Sequence, residues 1–196
     1  MDSHNPTVRA FVAIEVPGTV CRIMDSAREC LSALADDLRW TAPENIHLTL
    51  KFLGDIQEKG IPQILSSVNC VARETHAFRL STEGVGGGPS VEKARVVWLG
   101  VGGETRALTD LHLRLETVLE DFGVPVDKRK YYPHISLARA RRKPVRLPPE
   151  ASALANPVHF MVERLVVFKS ELHPEGAFHT PLGYSVLSDR VDVVAG

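Results

Sequence analysis

Two short segments set a histidine and a hydroxyl into otherwise apolar, strand-like surroundings. Glu44 to Gly54 reads ENIHLTLKFLG and Tyr131 to Arg142 reads YYPHISLARARR, so the order histidine, aliphatic, hydroxyl, leucine recurs 87 residues further on. Successive side chains of a strand point to opposite faces. His47 therefore shares a face with Thr49, and His134 with Ser136, while Leu48, Leu50, Ile135 and Leu137 turn towards a core. Imidazole titrates near neutral pH, so a pair of histidines can divide acid and base between them. The hydroxyls can donate to the non-bridging oxygens of a phosphate and stabilise the charge that develops there. Such a set suits displacement at phosphorus in a reactive ester, for instance a strained cyclic phosphate, and calls for no metal and no cofactor.

A single histidine in a strand is more often a packed imidazole bonded to the backbone; the matched second instance is what points to chemistry. A metal site is disfavoured, because each strand offers one histidine with no cysteine or carboxylate in the motif core. His4, His76, His112, His159, His173 and His179 lack the hydroxyl partner and are read as surface or structural residues.

The elements that must carry these motifs follow from periodicity. Val8 to Val16 reads as a strand stopped by Pro17-Gly18, and Thr19 to Asp37 as a helix capped by Thr19 with an apolar face from Val20 to Leu34. A short Leu38 to Thr41 segment precedes the first motif strand, Ile46 to Leu53. Glu58 to Glu74 is a second helix. Ala77 to Val85 and Arg95 to Val101 form a hairpin around a long glycine-rich loop, Gly84 to Ser90. Glu104 to Phe122 is a third helix ended by Gly123. The second motif strand starts after Pro133, a loop spans Lys143 to Pro157, and strands over Val158 to Ser170 and Leu182 to Leu187 complete the chain. This order lacks the steady strand–helix alternation of a doubly wound sheet, so an α+β fold with mostly antiparallel sheet is expected. A helix precedes each motif strand, which suggests a single domain over 1-196 made of two similar lobes, each giving one motif to a shared groove.

With 44% hydrophobic and 24% charged residues in 196, the chain has the composition of a globular protein that buries its own core. Cys21, Cys30 and Cys70 are too few and scattered for a disulfide framework and are read as small buried residues of a reducing compartment. The N-terminus lacks a basic region followed by a continuous apolar run, and no stretch reaches the roughly 20 apolar residues of a membrane helix. A soluble, cytoplasmic monomer without membrane contact is expected. The net charge of −1 argues against a general nucleic-acid binder, but Asp127 to Arg146 holds eight basic residues against one acidic and surrounds the second histidine. That coincidence favours phosphate binding near His134.

At these residues the sequence resembles the two-histidine phosphoesterase superfamily, and within it the RNA 2′,3′-cyclic phosphodiesterases once described as 2′-5′ RNA ligases. RAFVAIEVP, RWTAPENIHLTLKFLGDI, RVVWLGV and YYPHISLARAR carry the likeness along nearly the whole chain. The resemblance implies a bilobal α+β fold with the motifs facing each other across a groove. It also implies hydrolysis of a terminal 2′,3′-cyclic phosphate on RNA, on tRNA fragments or 2′-5′ linked oligonucleotides among others, to a 2′-phosphate. His47 would be the proton donor and His134 the acceptor, with Thr49, Ser136 and Arg139 on the phosphate. The same groups run in reverse would join RNA through a 2′-5′ bond; a non-catalytic RNA-end binding module is the alternative from another class. Ser136 stands where this family usually carries threonine, which keeps the hydroxyl and loses the β-branch. Strict alternation puts Arg139 opposite His134, so a bulge or the strand end must intervene. Lys51, Tyr131, Tyr132, Trp40 and Lys130 are candidate RNA contacts, the aromatics by stacking on bases.

Overall fold

In the computed structural model, which describes residues 6–153, 157–173 and 176–189, nine strands form one sheet whose strand pairs are all antiparallel. The strands are β1 (Thr7–Glu15), β2 (Leu38–Trp40), β3 (His47–Gln57), β4 (Phe78–Gly88), β5 (Val96–Gly103), β6 (His134–Ala140), β7 (His159–Val162), β8 (Arg164–His173) and β9 (Gly176–Val186). Their spatial order is β7-β4-β5-β6-β3-β1-β8-β9, with β2 beside β6. The motif strands β3 and β6 are therefore central neighbours, joined through the pair Leu48 and Ile135. The fold is α+β, as expected.

Helices α1 (Thr19–Cys30), α2 (Ile61–Arg73) and α3 (Thr105–Glu120) cover one face of the sheet. Their apolar stripes, including Ile23, Ile64, Val68, Leu108 and Leu115, join Val12, Ile14, Leu48, Leu50, Ile135 and Leu137 in one buried cluster. Phe11, Ala13 and Val166, with Phe168 packed beside them, form a separate small cluster on the other face. That second face carries no helix among the described residues, and it is the face of His47, Thr49, His134 and Ser136.

Each motif strand departs from strict alternation just after its hydroxyl residue. Val12 pairs with Lys51 but Ala13 pairs with Thr49, which leaves Leu50 as an extra residue in β3. Val97 pairs with Ala138 but Trp98 pairs with Ser136, which leaves Leu137 as the extra residue in β6. A bulge of this kind reverses the facing of everything beyond it. Lys51 is thereby turned into the helix side, where it is 4% exposed, and Phe52 is turned outward at 66% exposure. In β6 the same step buries Ala138 and exposes Arg139.

Several boundaries differ from the sequence reading. Gly18, not Thr19, caps α1, and the helix stops at Cys30. Asp37 is already tied to the sheet, its carbonyl accepting from Arg141 N–H, so the chain must leave the helix early. α2 begins at Ile61 because Pro62, which lacks an N–H, fits only the first turn. The glycine-rich run is strand rather than loop: Gly86, Gly87 and Gly88 pair with Trp98, Val97 and Val96. Trp98 lies across Gly86 and Gly88, and a Cβ on either would collide with the indole. Val158 to Ser170 is two strands split at Glu163, β7 pairing with β4 and β8 with β1 on opposite sides of the sheet. β9 starts earlier than expected, at Gly176. The cysteines are not buried: Cys21 and Cys30 are half-buried and Cys70 is exposed. No helix among the described residues is long and apolar enough to cross a membrane.

The buried Lys51 is neutralised by Glu116 of α3 at 2.5 Å and also donates to the Pro125 carbonyl at 2.7 Å. Glu116 accepts a further bond from the Asp127 backbone N–H at 2.9 Å. Removing one partner of such a pair leaves an uncompensated charge, at about 3–5 kcal/mol. Glu116→Ala is expected to lower the urea midpoint by that amount of stability, and Lys51→Met with Glu116→Leu together to recover most of it. Loss of less than about 1 kcal/mol in the single variant would show that the pair is solvated rather than buried.

Candidate active site

Both motif histidines are built the same way. His47 Nδ1 lies 2.8 Å from the Asn45 carbonyl, and His134 Nδ1 lies 2.8 Å from the Tyr132 carbonyl, two residues back in each case. A carbonyl only accepts, so each Nδ1 carries a proton and each Nε2 is left for other chemistry. His47 Nε2 is 3.0 Å from Thr49 Oγ1, which donates to it when the ring is neutral. Among the described residues the Ser136 hydroxyl has no partner, and neither does His134 Nε2. A charge on the His134 ring disfavours a charge on His47.

The surroundings of the two imidazoles differ. His47 stacks on Phe11 (centroids 4.7 Å apart) and meets the edge of His179 at 5.4 Å, with Phe168 at 6.2 Å. His134 sits 5.0 Å from the Trp98 ring, which in turn touches Tyr132 at 5.9 Å. Beyond the bulges, Phe52 and Arg139 occupy corresponding positions, five residues after each motif histidine. The His47 side is thus apolar and aromatic, and the His134 side ends in a guanidinium.

Burial among these rings lowers the pKa of His47 to about 4, opposed by the Asn45 carbonyl and helped by repulsion from His179 and His134. His179 is also lowered by burial, with its neighbouring Phe178 backbone offsetting part of the effect. Its Nδ1 is buried without a hydrogen-bond partner among the described residues. The strand β9 that carries His179 is held to the motif by Asn45 Nδ2 donating to the Ala177 carbonyl at 2.6 Å.

The structure redistributes the expected site residues. His47, Thr49, His134, Ser136 and Arg139 share the open face, Arg139 by way of the Leu137 bulge. Lys51 cannot reach RNA, because the Leu50 bulge buries it against Glu116. Tyr131 is also a correction: its ring stacks on His112 at 3.9 Å and its hydroxyl donates to the Thr49 carbonyl at 3.0 Å, so it packs on the helix side. Trp40 packs against the core opposite Ala138, with Arg28 over its ring at 5.3 Å. Lys130 lies in an exposed loop lining an open cavity of about 520 Å³ against α3, away from the histidine face. Tyr132, 64% exposed, remains beside the site. Trp98, Phe52 and His179 escaped the sequence reading; for His179 the usable signal was its place on a strand edge, which only the β8–β9 pairing defines. His4 lies outside the described residues. Among the described residues no cluster of three or more His, Cys, Asp or Glu side chains is arranged to hold a metal.

The sequence pattern of the 2′-5′ RNA ligase superfamily matches residues 16–174, which span both motifs and the sheet between them. The chain belongs to that superfamily. Superfamily members named RNA 2′,3′-cyclic phosphodiesterase include one from Thermus thermophilus, 33% identical over 145 residues that cover 71% of each chain. Another, from Methanothermobacter thermautotrophicus, is 29% identical over 179 residues, 89% of this chain and 96% of the relative. The superfamily fold recurs in the crystal structure of TT0787 of Thermus thermophilus, with a TM-score of 0.79 at 26% identity over 93% of this chain and all of that one. Apo LigT of E. coli shares the fold at a TM-score of 0.72 and 24% identity, covering 93% and 99%.

Because the folded pKa of His47 is lowered from 6.5, the unfolded chain binds more protons than the folded one between pH 6.5 and about 4. Stability contributed by the neutral ring is present above 6.5 and lost on acidification through that window. In ¹⁵N NMR titration, His47 is expected to stay neutral until about pH 4, and His179→Ala to move its midpoint up towards 6.5. A midpoint above about 6 in the unaltered protein would contradict the burial described.

Proposed function

We propose that this protein hydrolyses the 2′,3′-cyclic phosphate at RNA ends to a 2′-phosphate, by acid–base catalysis between two histidines and without a metal. The observation that carries the reading is the repeated construction: two imidazoles on adjacent central strands, each fixed at Nδ1 by its own backbone, each with Nε2 and a hydroxyl on the same open face. The names of the relatives point to the same reaction.

The cyclic phosphate lies between the two rings, its non-bridging oxygens accepting from Thr49 and Ser136 hydroxyls and from Arg139. His134 Nε2 takes a proton from water as the water oxygen bonds to phosphorus. The bond from phosphorus to the 3′ oxygen breaks, and His47 Nε2–H gives that oxygen its proton. This requires His47 to be charged when substrate is bound. In the empty site it is neutral, held so by burial and by two neighbouring imidazoles. An anionic phosphate close to Nε2 reverses that balance and pulls the ring's pKa up. The donor is therefore loaded by the substrate that uses it.

The test is conversion of an RNA ending in 2′,3′-cyclic phosphate in EDTA, with the product ends identified. A 2′-phosphate product is expected, with His47→Ala and His134→Ala each losing about 10²–10⁴-fold in kcat and RNA affinity changing far less. Retained turnover with weakened affinity would support a binding module, and a 2′-5′ linked product the joining direction. In pH profiles, the donor limb of kcat is expected well above the empty-site value of about 4. An activity that instead rises with pH through about 4 and then stays level would give His47 the acceptor role.

A further inference from the structure

Arg39 and Arg139 are direct partners across the β2–β6 pair. Their neighbours on β2 face inward: Leu38 is 1% exposed, and Trp40 packs against the core opposite buried Ala138. Both guanidiniums therefore project to the face of His134 and Ser136, and both residues are exposed. Cross-strand partners stand about 4.5–5.5 Å apart at Cα, and like charges so placed destabilise a sheet. Among the described residues neither guanidinium has a carboxylate or carbonyl partner. Asp37, the nearest acid along the chain, offers Arg141 its backbone carbonyl, and Arg141 Nε donates to the Leu38 carbonyl. Exposed Arg142 and Lys143 follow. A face-to-face arginine pair without a counter-ion, at the margin of the histidine face, is a place where an anion would remove a repulsion as well as make new bonds.

We propose that Arg39, beside Arg139, forms a second anion subsite that takes the phosphodiester on the 5′ side of the terminal cyclic nucleotide. The inference rests on the phosphodiesterase reading above. Arg139 lies three residues beyond Ser136, about 10 Å of strand at most, so it reaches back to the reacting phosphate, and its direct partner Arg39, level with it on β2, is left for a second anion. A second guanidinium at that distance from the motif hydroxyls suits the next phosphate of a single strand. β2 and β3 lie along the same edge of β6, so the strand of RNA leaves the histidines along that edge. The subsite gives the protein a reason to prefer oligonucleotide ends over free cyclic mononucleotides.

The experiment compares adenosine 2′,3′-cyclic phosphate with a dinucleotide ending in the same group, using the unaltered protein, Arg39→Gln and Arg39→Lys. Arg39→Gln is expected to raise KM for the dinucleotide about tenfold or more, the scale of a charge-assisted contact, and to leave kcat/KM for the mononucleotide within about twofold. Arg39→Lys recovers part of the loss. Binding of a single-stranded RNA with a 2′-phosphate end should show a log–log salt dependence shallower by about 0.7 in Arg39→Gln. The melting temperature should hold or rise, since a like-charge pair is removed. Equal loss on both substrates, or loss on neither, overturns the subsite. If the unaltered protein cleaves neither substrate, the phosphodiesterase reading fails, and an unchanged salt slope then overturns the subsite independently.

Discussion

The arrangement of the open face depends on one backbone device used twice, an extra residue inserted just after the hydroxyl of each motif strand. Without the Leu50 bulge, Lys51 would stand in line with His47 and Thr49, and Phe52 would be buried. Without the Leu137 bulge, Arg139 would point into the core. A bulge interrupts the ladder, and its polar groups must be satisfied elsewhere. In β3 the carbonyls of Thr49 and Leu50 accept from the Tyr131 hydroxyl and His112 Nδ1. Those two rings stack on each other and, with the Lys51–Glu116 pair, hold the loop that leads into β6. The irregularity that shapes the first motif is thus supported by the segment that introduces the second.

The two halves of the face are alike in backbone and unlike in chemistry. Register places Ala13 beside Thr49 where Trp98 stands beside Ser136. The small residue on one side leaves room for Phe11, Phe168 and His179 to enclose His47. The large one on the other spreads over two glycines and gives His134 an aromatic wall. Enclosure removes water from His47 and favours its neutral form. Identical residue types in matching frames therefore acquire different surroundings from their neighbours in the sheet.

Charge is distributed by the same logic. The basic run around the second motif separates in space into an outer loop, where Arg129 binds Asp127 and draws that carboxyl well below its usual range, and the end of β6, where Arg139 meets Arg39. Only the second group faces the histidines. Sequence proximity to a motif was a poor guide to sharing its face, because a loop and a bulge both intervene.

The strand period, the helix stripes and the matched spacing of His47 with Thr49 and His134 with Ser136 were legible in the chain, because alternation and amphipathicity are local consequences of side-chain geometry. They sufficed for the α+β class, three helices and the shared face of His47, Thr49, His134 and Ser136. Lys51 lies elsewhere than parity suggests because counting along a sequence fails at an inserted residue, and whether a residue is inserted depends on the partner strand; Tyr131 and Trp40 pack inward through contacts with His112 and the core that no local pattern reveals. Trp98, Phe52 and His179 were invisible because they reach the motifs from other strands or across a bulge. What the amino-acid order determined was which groups are present and which way they face within an unbroken strand; which groups meet, and with what protonation, was decided by register and burial in the assembled sheet, since both are properties of neighbours distant in the chain.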